Sequence, residues 1–296
     1  MVRKLISFDW AIKKILRSKA NFGILEGFLS ELLFTDIRII EVLESESNQD
    51  SNDNKSNRVD IKVVDNNQQI IIIEIQYSRE LDYLHRILFA SSTVISEHME
   101  KGNAYSKVSK VISINILYFD FGEGEDYIYH GTTRFIGLHD ESELELTEEQ
   151  KTLYTADKIA DIYPEYYLIE IKNFNNVAKD TLDEWIYFLK NEQIEDNFTA
   201  KGLKQAQKTL DVLKMNEEER HAYEHHQKQL HHEASLYEST YVLGKLEGRE
   251  EGKEEGRDEG REEGILISAK NMKQAGIDIN IIAQVTSLSI EQIETL

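Results

Sequence analysis

The 296-residue sequence contains no cysteine and a single proline, Pro164. Without cysteine there are no disulfides, thiolate metal sites or thiol nucleophiles, so any chemistry must use oxygen and nitrogen groups. Long apolar runs are also missing: no stretch approaches the roughly 20 residues of a membrane-spanning helix, and the first residues lack the apolar core of a signal peptide. We therefore expect a cytoplasmic protein with no membrane partner.

Positive charge is scarce and unevenly distributed. Lys and Arg number 34 against 55 Asp and Glu, a formal net charge of −21, which argues against a protein that coats nucleic acid through its overall charge. Residues 140–200 hold 16 acidic and 5 basic side chains, whereas residues 1–34 hold 3 acidic and 6 basic ones. A polyanionic ligand is therefore expected to bind near the N-terminus.

Hydrophobic periodicity predicts an α/β fold with a mixed sheet, because strands and helices alternate along the chain. A polar, Asn-rich loop is expected at 45–57. Helices are predicted at 8–34 with a break around 18–23, at 83–100 and at 177–236, and strands at 37–44, in two segments within 60–76, and at 111–121, 126–138 and 166–171.

Glycine recurs at every fourth position of residues 244–264, and a basic residue follows each of the first five glycines. Six interior glycines cost a helix roughly 5 to 6 kcal/mol relative to alanine. Close packing against a second helix would offset that cost, so we interpret the repeat as a helix used for self-association. The alternative is a solvated, partly disordered connector.

The last segment, residues 265–296, predicts three helices, with a stop at Gly276 and new starts at Asp278 and Ser289. Ser289 and Gln292 have the spacing of a capping box. The unit has the size of a helix-turn-helix, but its third helix, "SIEQIETL", lacks the basic residues that suit a major groove. A protein-binding or dimerising role is an equal alternative.

Two carboxylates stand at the ends of the predicted hairpin "DIKVVDNNQQIIIIEIQ". Side chains alternate along a strand, so Glu74 shares a face with Gln76. A two-residue turn would send Asp60 and Glu74 to opposite faces, whereas an odd turn, with Asp65 facing Gln69, sets them side by side. The turn lacks the Asn-Gly signal of a two-residue hairpin. The odd register is therefore predicted.

Side by side, the two carboxylates would repel each other, and the pKa of one would rise. A hard divalent cation such as Mg²⁺ removes the conflict, because it takes one or two carboxylates and keeps several waters. The alternative is a solvated sheet edge. The aliphatic run at 70–73 favours an interior strand instead.

These residues resemble the D…(D/E)-x-K core of the PD-(D/E)xK nuclease superfamily, and more narrowly its branch of recombination-promoting nucleases and transposases, which carries E-x-Q. The resemblance extends through "FDWAIKKIL", "EKGNAYSKVSKVISINILYF", Arg86 and the glycine repeat. It implies a restriction-endonuclease-like mixed β-sheet core flanked by helices, with a C-terminal helical extension. The expected domains are a nuclease domain (1–200), a helical connector (201–243), the glycine repeat (244–264) and a helix-turn-helix-like module (265–296).

The resemblance also implies a DNA endonuclease that depends on Mg²⁺ or Mn²⁺ and acts in recombination or on mobile elements. Asp60 and Glu74, with the backbone carbonyl of Ile75, would hold the cation. Gln76 would orient the attacking water without supplying the charge of the usual lysine. Asp9 matches the family's N-terminal motif as a further catalytic candidate; its alternative role is the N-cap of the first helix.

Four other positions are candidates of different strength. Lys13 and Arg86 are expected to bind DNA phosphates, with surface salt bridges as the alternative. Glu44 is a weaker site candidate. His221 and His225 have the spacing of a metal pair, but a solvated polar helix is favoured because no third ligand is defined.

Two other functions remain open beside the endonuclease. A catalytically weak or inactive protein on a nuclease fold, acting in oligomerisation or in protein or DNA binding, fits the acidic charge. A sequence-specific DNA-binding protein would use the C-terminal helices. The expected partners are DNA and a second copy of the chain, joined through the glycine repeat.

Overall fold

The structure is a computed structural model that describes residues 5–43, 60–99, 102 and 104–296. Glu44 and the polar loop at 45–57 lie outside the described residues. The helices are α1 (Phe8–Lys14), α2 (Phe22–Leu33), α3 (Tyr83–Glu97), α4 (Glu148–Tyr154), α5 (Thr181–Asn191), α6 (Leu203–Thr209), α7 (Glu217–Gln274), α8 (Ile279–Thr286) and α9 (Ile290–Thr295). The strands are β1 (Ile39–Leu43), β2 (Ile61–Asp65), β3 (Ile70–Gln76), β4 (Val111–Leu117), β5 (Ile128–Gly131) and β6 (Glu165–Glu170).

The strands form one mixed sheet in the order β1-β2-β3-β4-β6-β5. Strand β4 runs parallel to both β3 and β6, and the remaining neighbours are antiparallel. The predicted α/β fold, a mixed sheet with flanking helices, is confirmed. Because β3 pairs with β2 on one side and β4 on the other, the alternative of a solvated sheet edge is wrong.

Apolar side chains bury both faces of β3. Ile71 and Ile73 belong to the main core, where aromatic side chains of α1, α2 and α5 pack edge to face. On the opposite face, Ile70 and Ile72 pack against α3, at Ala90 among others. Strand β3 therefore lies packed between two helical layers, and this packing fixes the position of Glu74 and Gln76 at its end.

The β2–β3 hairpin has the odd register that its turn predicts. Ile61 pairs with Ile73, and the turn is closed by a hydrogen bond from the amide of Asp65 to the carbonyl of Gln69 at 3.1 Å. Gln68 has a left-handed backbone, φ 61°, which is typical of a three-residue hairpin loop. The prediction against a two-residue turn is confirmed.

Two predicted elements differ in extent from the observed ones. The predicted helical stretch 177–236 is wrong as a continuous element, because left-handed residues interrupt it: Glu192 (φ 55°) ends α5 and Gly202 (φ 86°) precedes α6. The strand predicted at 126–138 is shorter, because its pairing with β6 ends at Gly131. The predicted break in 8–34 is confirmed between α1 and α2.

A close approach of two backbones makes Gly27 of α2 sensitive to substitution. A Cβ atom at this position would lie 2.6 Å from the carbonyl carbon of Lys201 and 2.8 Å from the Cα of Gly202. We expect Gly27→Ala to lower the free energy of unfolding by about 2 kcal/mol, because the clash is with backbone. Urea unfolding measures it. Gly131→Ala is the control, expected to change stability by less than about 0.5 kcal/mol, since its Cβ meets nothing nearer than 3.6 Å. Equal losses in both variants would contradict the argument.

The chain divides into two compact units, Met1–His231 and His232–Leu296. Helix α7 runs through the glycine repeat, so the interpretation of that repeat as a helix is confirmed. A Cβ atom at any of its six glycines would meet no atom within 4 Å. Among the described residues, no helix combines the length and apolarity needed to cross a membrane.

The end of the second unit follows the sequence closely. Gly276 has a φ of 77° after the end of α7, and Ser289 forms the predicted capping box with Gln292 at the start of α9. A small apolar cluster that includes Ile282 and Ile293 joins its helices. The predicted three-helix arrangement is confirmed.

Candidate active site

The hairpin register brings the two predicted metal ligands together. Continued by one residue, the pairing of Ile61 with Ile73 sets Asp60 opposite Glu74. Asp60 Oδ2 also accepts a hydrogen bond from the backbone amide of Ile75 at 2.7 Å. Both carboxylates therefore stand at one end of the sheet, on adjacent strands.

The N-terminal segment supplies two cations to Asp60. Lys13 Nζ of α1 lies 3.3 Å from Asp60 Oδ1 and 3.4 Å from Asp9 Oδ2. Arg17 donates from Nη2 to the backbone carbonyl of Asp60 at 2.8 Å. The basic N-terminal residues thus lie at the carboxylates, where a polyanionic ligand was expected.

Asp9 is a buried carboxylate, fixed from two sides. It lies in the first turn of α1, and Ser7 occupies the N-cap position, so the N-cap alternative for Asp9 is wrong. His226 of α7 approaches both oxygens through Nε2, at 3.1 and 3.0 Å, and its ring packs on Trp10. Burial raises the pKa of Asp9, but the His226 hydrogen bond and Lys13 outweigh it and hold that pKa below its usual value. Asp9 is therefore an anion that anchors Lys13.

Helix α3 supplies the cation on the Glu74 side. Arg86 forms an ion pair with Glu74 and a two-pronged contact with Glu80, at 2.7 and 2.9 Å from Nη1. Gln76 donates from its amide nitrogen to Glu80 Oε1 at 2.8 Å and to the carbonyl of Ser78 at 3.1 Å. Arg86 therefore forms the ion pairs that the salt-bridge alternative expects, one with Glu74, whose side chain is 6% exposed, and one with Glu80, whose side chain is 33% exposed.

The ionisation of Glu74 is displaced toward neutral pH. Burial is the largest cause, the nearby charges of Asp60 and Glu80 add to it, and Arg86 opposes it; together they raise the pKa of Glu74 to about 7. An acid at this value changes charge within the physiological range. The pair therefore shows the like-charge conflict that its spacing predicts.

The donor chemistry of the pair fits a hard divalent cation. Mg²⁺ is commonly bound through one or two carboxylates plus substrate phosphate oxygens and water, and Asp60 and Glu74 provide two such groups on rigid strands. The described residues contain no preassembled group of three or more acidic or histidine side chains able to hold a metal ion. Any such site would therefore rest on the two carboxylates with backbone or substrate oxygens.

The six predicted site residues form two adjacent groups at this end of the sheet. One group is Asp9, Lys13 and Asp60, and the other is Glu74, Gln76 and Arg86. His221 and His225 are exposed and join neither group. The sequence pointed to neither Glu80 nor His226, although both contact site residues. In the structure His226 lies three residues after the buried Tyr223, on the same helical face, but no sequence pattern marked that face as buried.

Comparison with protein-family models matches residues 6–240 to the family described as PD-(D/E)XK nuclease family transposase. Neither the curated proteins nor the solved structures gave a match. The matched range contains both groups of site residues and ends before the first glycine of the repeat, Gly244.

Proposed function

Because the chain belongs to the PD-(D/E)XK nuclease family of transposases, we propose that it is a metal-dependent DNA endonuclease acting in recombination or on mobile elements. One observation carries the proposal: the odd hairpin register sets Asp60 opposite Glu74 at the end of an interior strand. A purely structural strand would gain nothing from a buried acid whose pKa is raised to about 7.

We assign the metal-binding role to Asp60 and Glu74, together with the backbone carbonyl of Ile75. When bound, Mg²⁺ or Mn²⁺ supplies Lewis-acid chemistry toward a phosphodiester and a coordinated water. Asp60 is pre-oriented for this role, because the amide of Ile75 holds one of its oxygens. Arg86 keeps Glu74 in place and offsets its charge.

Contacts with DNA are assigned to the cations around the carboxylates. Lys13 is 37% exposed and Arg86 is 36% exposed, so both reach solvent while remaining tied to acidic partners. Phosphate oxygens would compete for these donors as DNA approaches. The amide nitrogen of Gln76 donates to Glu80 and Ser78, so Gln76 would orient the attacking water through its amide oxygen, which accepts hydrogen bonds.

Cleavage of a supercoiled plasmid tests the proposal directly. Wild-type protein is expected to convert the plasmid to nicked and linear forms with Mg²⁺ or Mn²⁺, and not with EDTA, because ionised carboxylates at this site need a cation to bring a phosphate close. Gel electrophoresis over time gives the rate. Absence of cleavage over a broad range of metal and protein concentration, or cleavage that EDTA leaves unchanged, would contradict it.

A second candidate is a nuclease-fold protein that binds without cutting. It is favoured by the cations that already hold Asp60 and Glu74 and by the net charge of −21. It predicts metal-independent DNA or protein binding by the same preparation that shows no cleavage. Retained DNA binding in EDTA, measured by fluorescence anisotropy, separates it from the endonuclease.

We also propose that the glycine repeat mediates self-association. The open space around each glycine allows a second helix to approach closely, and such contact would offset the cost of glycine in a helix. Gly252→Leu with Gly256→Leu is expected to weaken self-association at least tenfold in sedimentation experiments, because each side chain blocks the approach. The control, Glu250→Leu with Glu254→Leu, places the same two leucines on the opposite face of the helix, away from the row of glycines. Equal oligomeric states in both variants would contradict the assignment.

A further inference from the structure

We propose that Lys13 supplies the fixed positive charge that the motif of the wider PD-(D/E)xK superfamily provides through the lysine after its acidic residue. In this chain Gln76 occupies that lysine position, and an amide carries no charge. The inference rests on the proposed endonuclease function and concerns one residue of the same site. It makes Lys13 a positioning residue for Asp60 rather than only a contact for DNA.

Gln76 does not place a positive charge next to Asp60. Its amide nitrogen donates to Glu80 Oε1 at 2.8 Å and to the Ser78 carbonyl at 3.1 Å, and a primary amide has two hydrogens to donate. Both are therefore engaged by the segment that follows β3. The Gln76 side chain therefore binds Glu80, the partner of Arg86, and brings no positive charge to Asp60.

Lys13 provides this charge from another element. Its ammonium lies 3.3 Å from Asp60 Oδ1, while Oδ2 of the same carboxylate is held by the amide of Ile75 at 2.7 Å. The two oxygens of Asp60 are thus fixed separately, one by charge and one by backbone. An ammonium in this place sets the orientation of Asp60 and lies within reach of a phosphate that approaches it.

Asp9 and His226 hold Lys13 in this position. Asp9 is fully buried, lies 3.4 Å from the ammonium, and is itself held by His226 Nε2. The ammonium of Lys13 therefore lies between two carboxylates, at 3.4 Å from Asp9 and 3.3 Å from Asp60. The Asp9–His226 pair therefore acts as a buried anchor for Lys13, which explains why an acid at Asp9 belongs to the site.

Exchange of the lysine between the two positions tests the inference. Lys13→Gln is expected to lower the cleavage rate at saturating DNA by about 100-fold, the usual loss for one preorganised charge. Lys13→Arg should retain more of the rate, and Gln76→Lys in the Lys13→Gln background should recover at least tenfold. The control is Lys14→Gln, which removes the same charge from an exposed neighbour that lies over Trp10 and should leave the rate unchanged.

Metal binding gives a readout that does not require cleavage. Two cations near one carboxylate repel each other, so Lys13→Gln should tighten Mn²⁺ binding by roughly threefold to tenfold in calorimetry, and Lys14→Gln should not. The inference is overturned if Lys13→Gln cleaves within threefold of the wild-type rate while Asp60→Asn is inactive. It is also overturned if the Lys13→Gln, Gln76→Lys double variant folds and binds Mn²⁺ but recovers no cleavage rate. If wild type cleaves no DNA, the proposed function fails, and an unchanged Mn²⁺ affinity in Lys13→Gln then overturns the inference as well.

Discussion

Asp60→Asn is expected to lower the rate of metal-dependent DNA cleavage by at least about 100-fold. Changing a residue that only hydrogen-bonds a metal ligand already lowers metal affinity or activity by about 10–100-fold, and Asp60 is assigned as a direct ligand. The substitution removes one of two carboxylates while keeping an oxygen acceptor for the amide of Ile75. Rates on supercoiled plasmid over a range of Mg²⁺ and Mn²⁺ concentrations measure the loss.

The matched control for this substitution is Glu41→Gln. Glu41 is exposed on β1, next to the hairpin in the same sheet, and its change removes one carboxylate of similar charge without touching the site. We expect its cleavage rate to equal that of wild type. Urea unfolding of both variants checks that the fold persists. Unaltered cleavage by a folded Asp60→Asn variant would remove Asp60 from the mechanism.

The hairpin could be predicted because its rules are local. The side-chain period of two and the absence of an Asn-Gly signal were enough to place Asp60 and Glu74 on one face. The pairing in the structure agrees residue by residue. The C-terminal helices were equally accessible, since Gly276 and the Ser289 capping box mark helix ends through their own chemistry.

The contacts that complete the site depend on distant parts of the chain. His226 is 217 residues from Asp9, and no period or spacing in the sequence links them. Glu80 follows β3 closely, but its role depends on where α3 presents Arg86. Tertiary packing decides such contacts. Composition and spacing therefore described the histidine-rich segment correctly as polar and still missed the contact of His226 with Asp9.

The free energy of unfolding is expected to depend on pH through Glu74. The folded-state pKa of about 7 lies above the ordinary value of 4.5, so the folded protein binds this proton more tightly than the unfolded chain. The resulting stabilisation is complete below about pH 4.5, declines as pH rises, and is lost once pH passes about 7. A shift of this size corresponds to about 3 kcal/mol.

Comparison with Glu74→Gln isolates this contribution. Glutamine has nearly the same shape and keeps an oxygen for Arg86, but it does not ionise. In EDTA, the stability of wild type relative to Glu74→Gln should fall by about 2 to 3 kcal/mol between pH 5 and pH 8, measured by urea unfolding. The Glu41→Gln control should keep a constant difference from wild type.

Divalent cations should reverse the loss at pH 8. A cation that binds the ionised carboxylates stabilises the folded state by an amount that grows with the logarithm of its concentration once that exceeds the dissociation constant, so Mg²⁺ should raise the stability of wild type more than that of Glu74→Gln. Parallel pH profiles for the two proteins in EDTA would show that Glu74 has an ordinary pKa. Equal stabilisation of both by Mg²⁺ would remove Glu74 from the metal site.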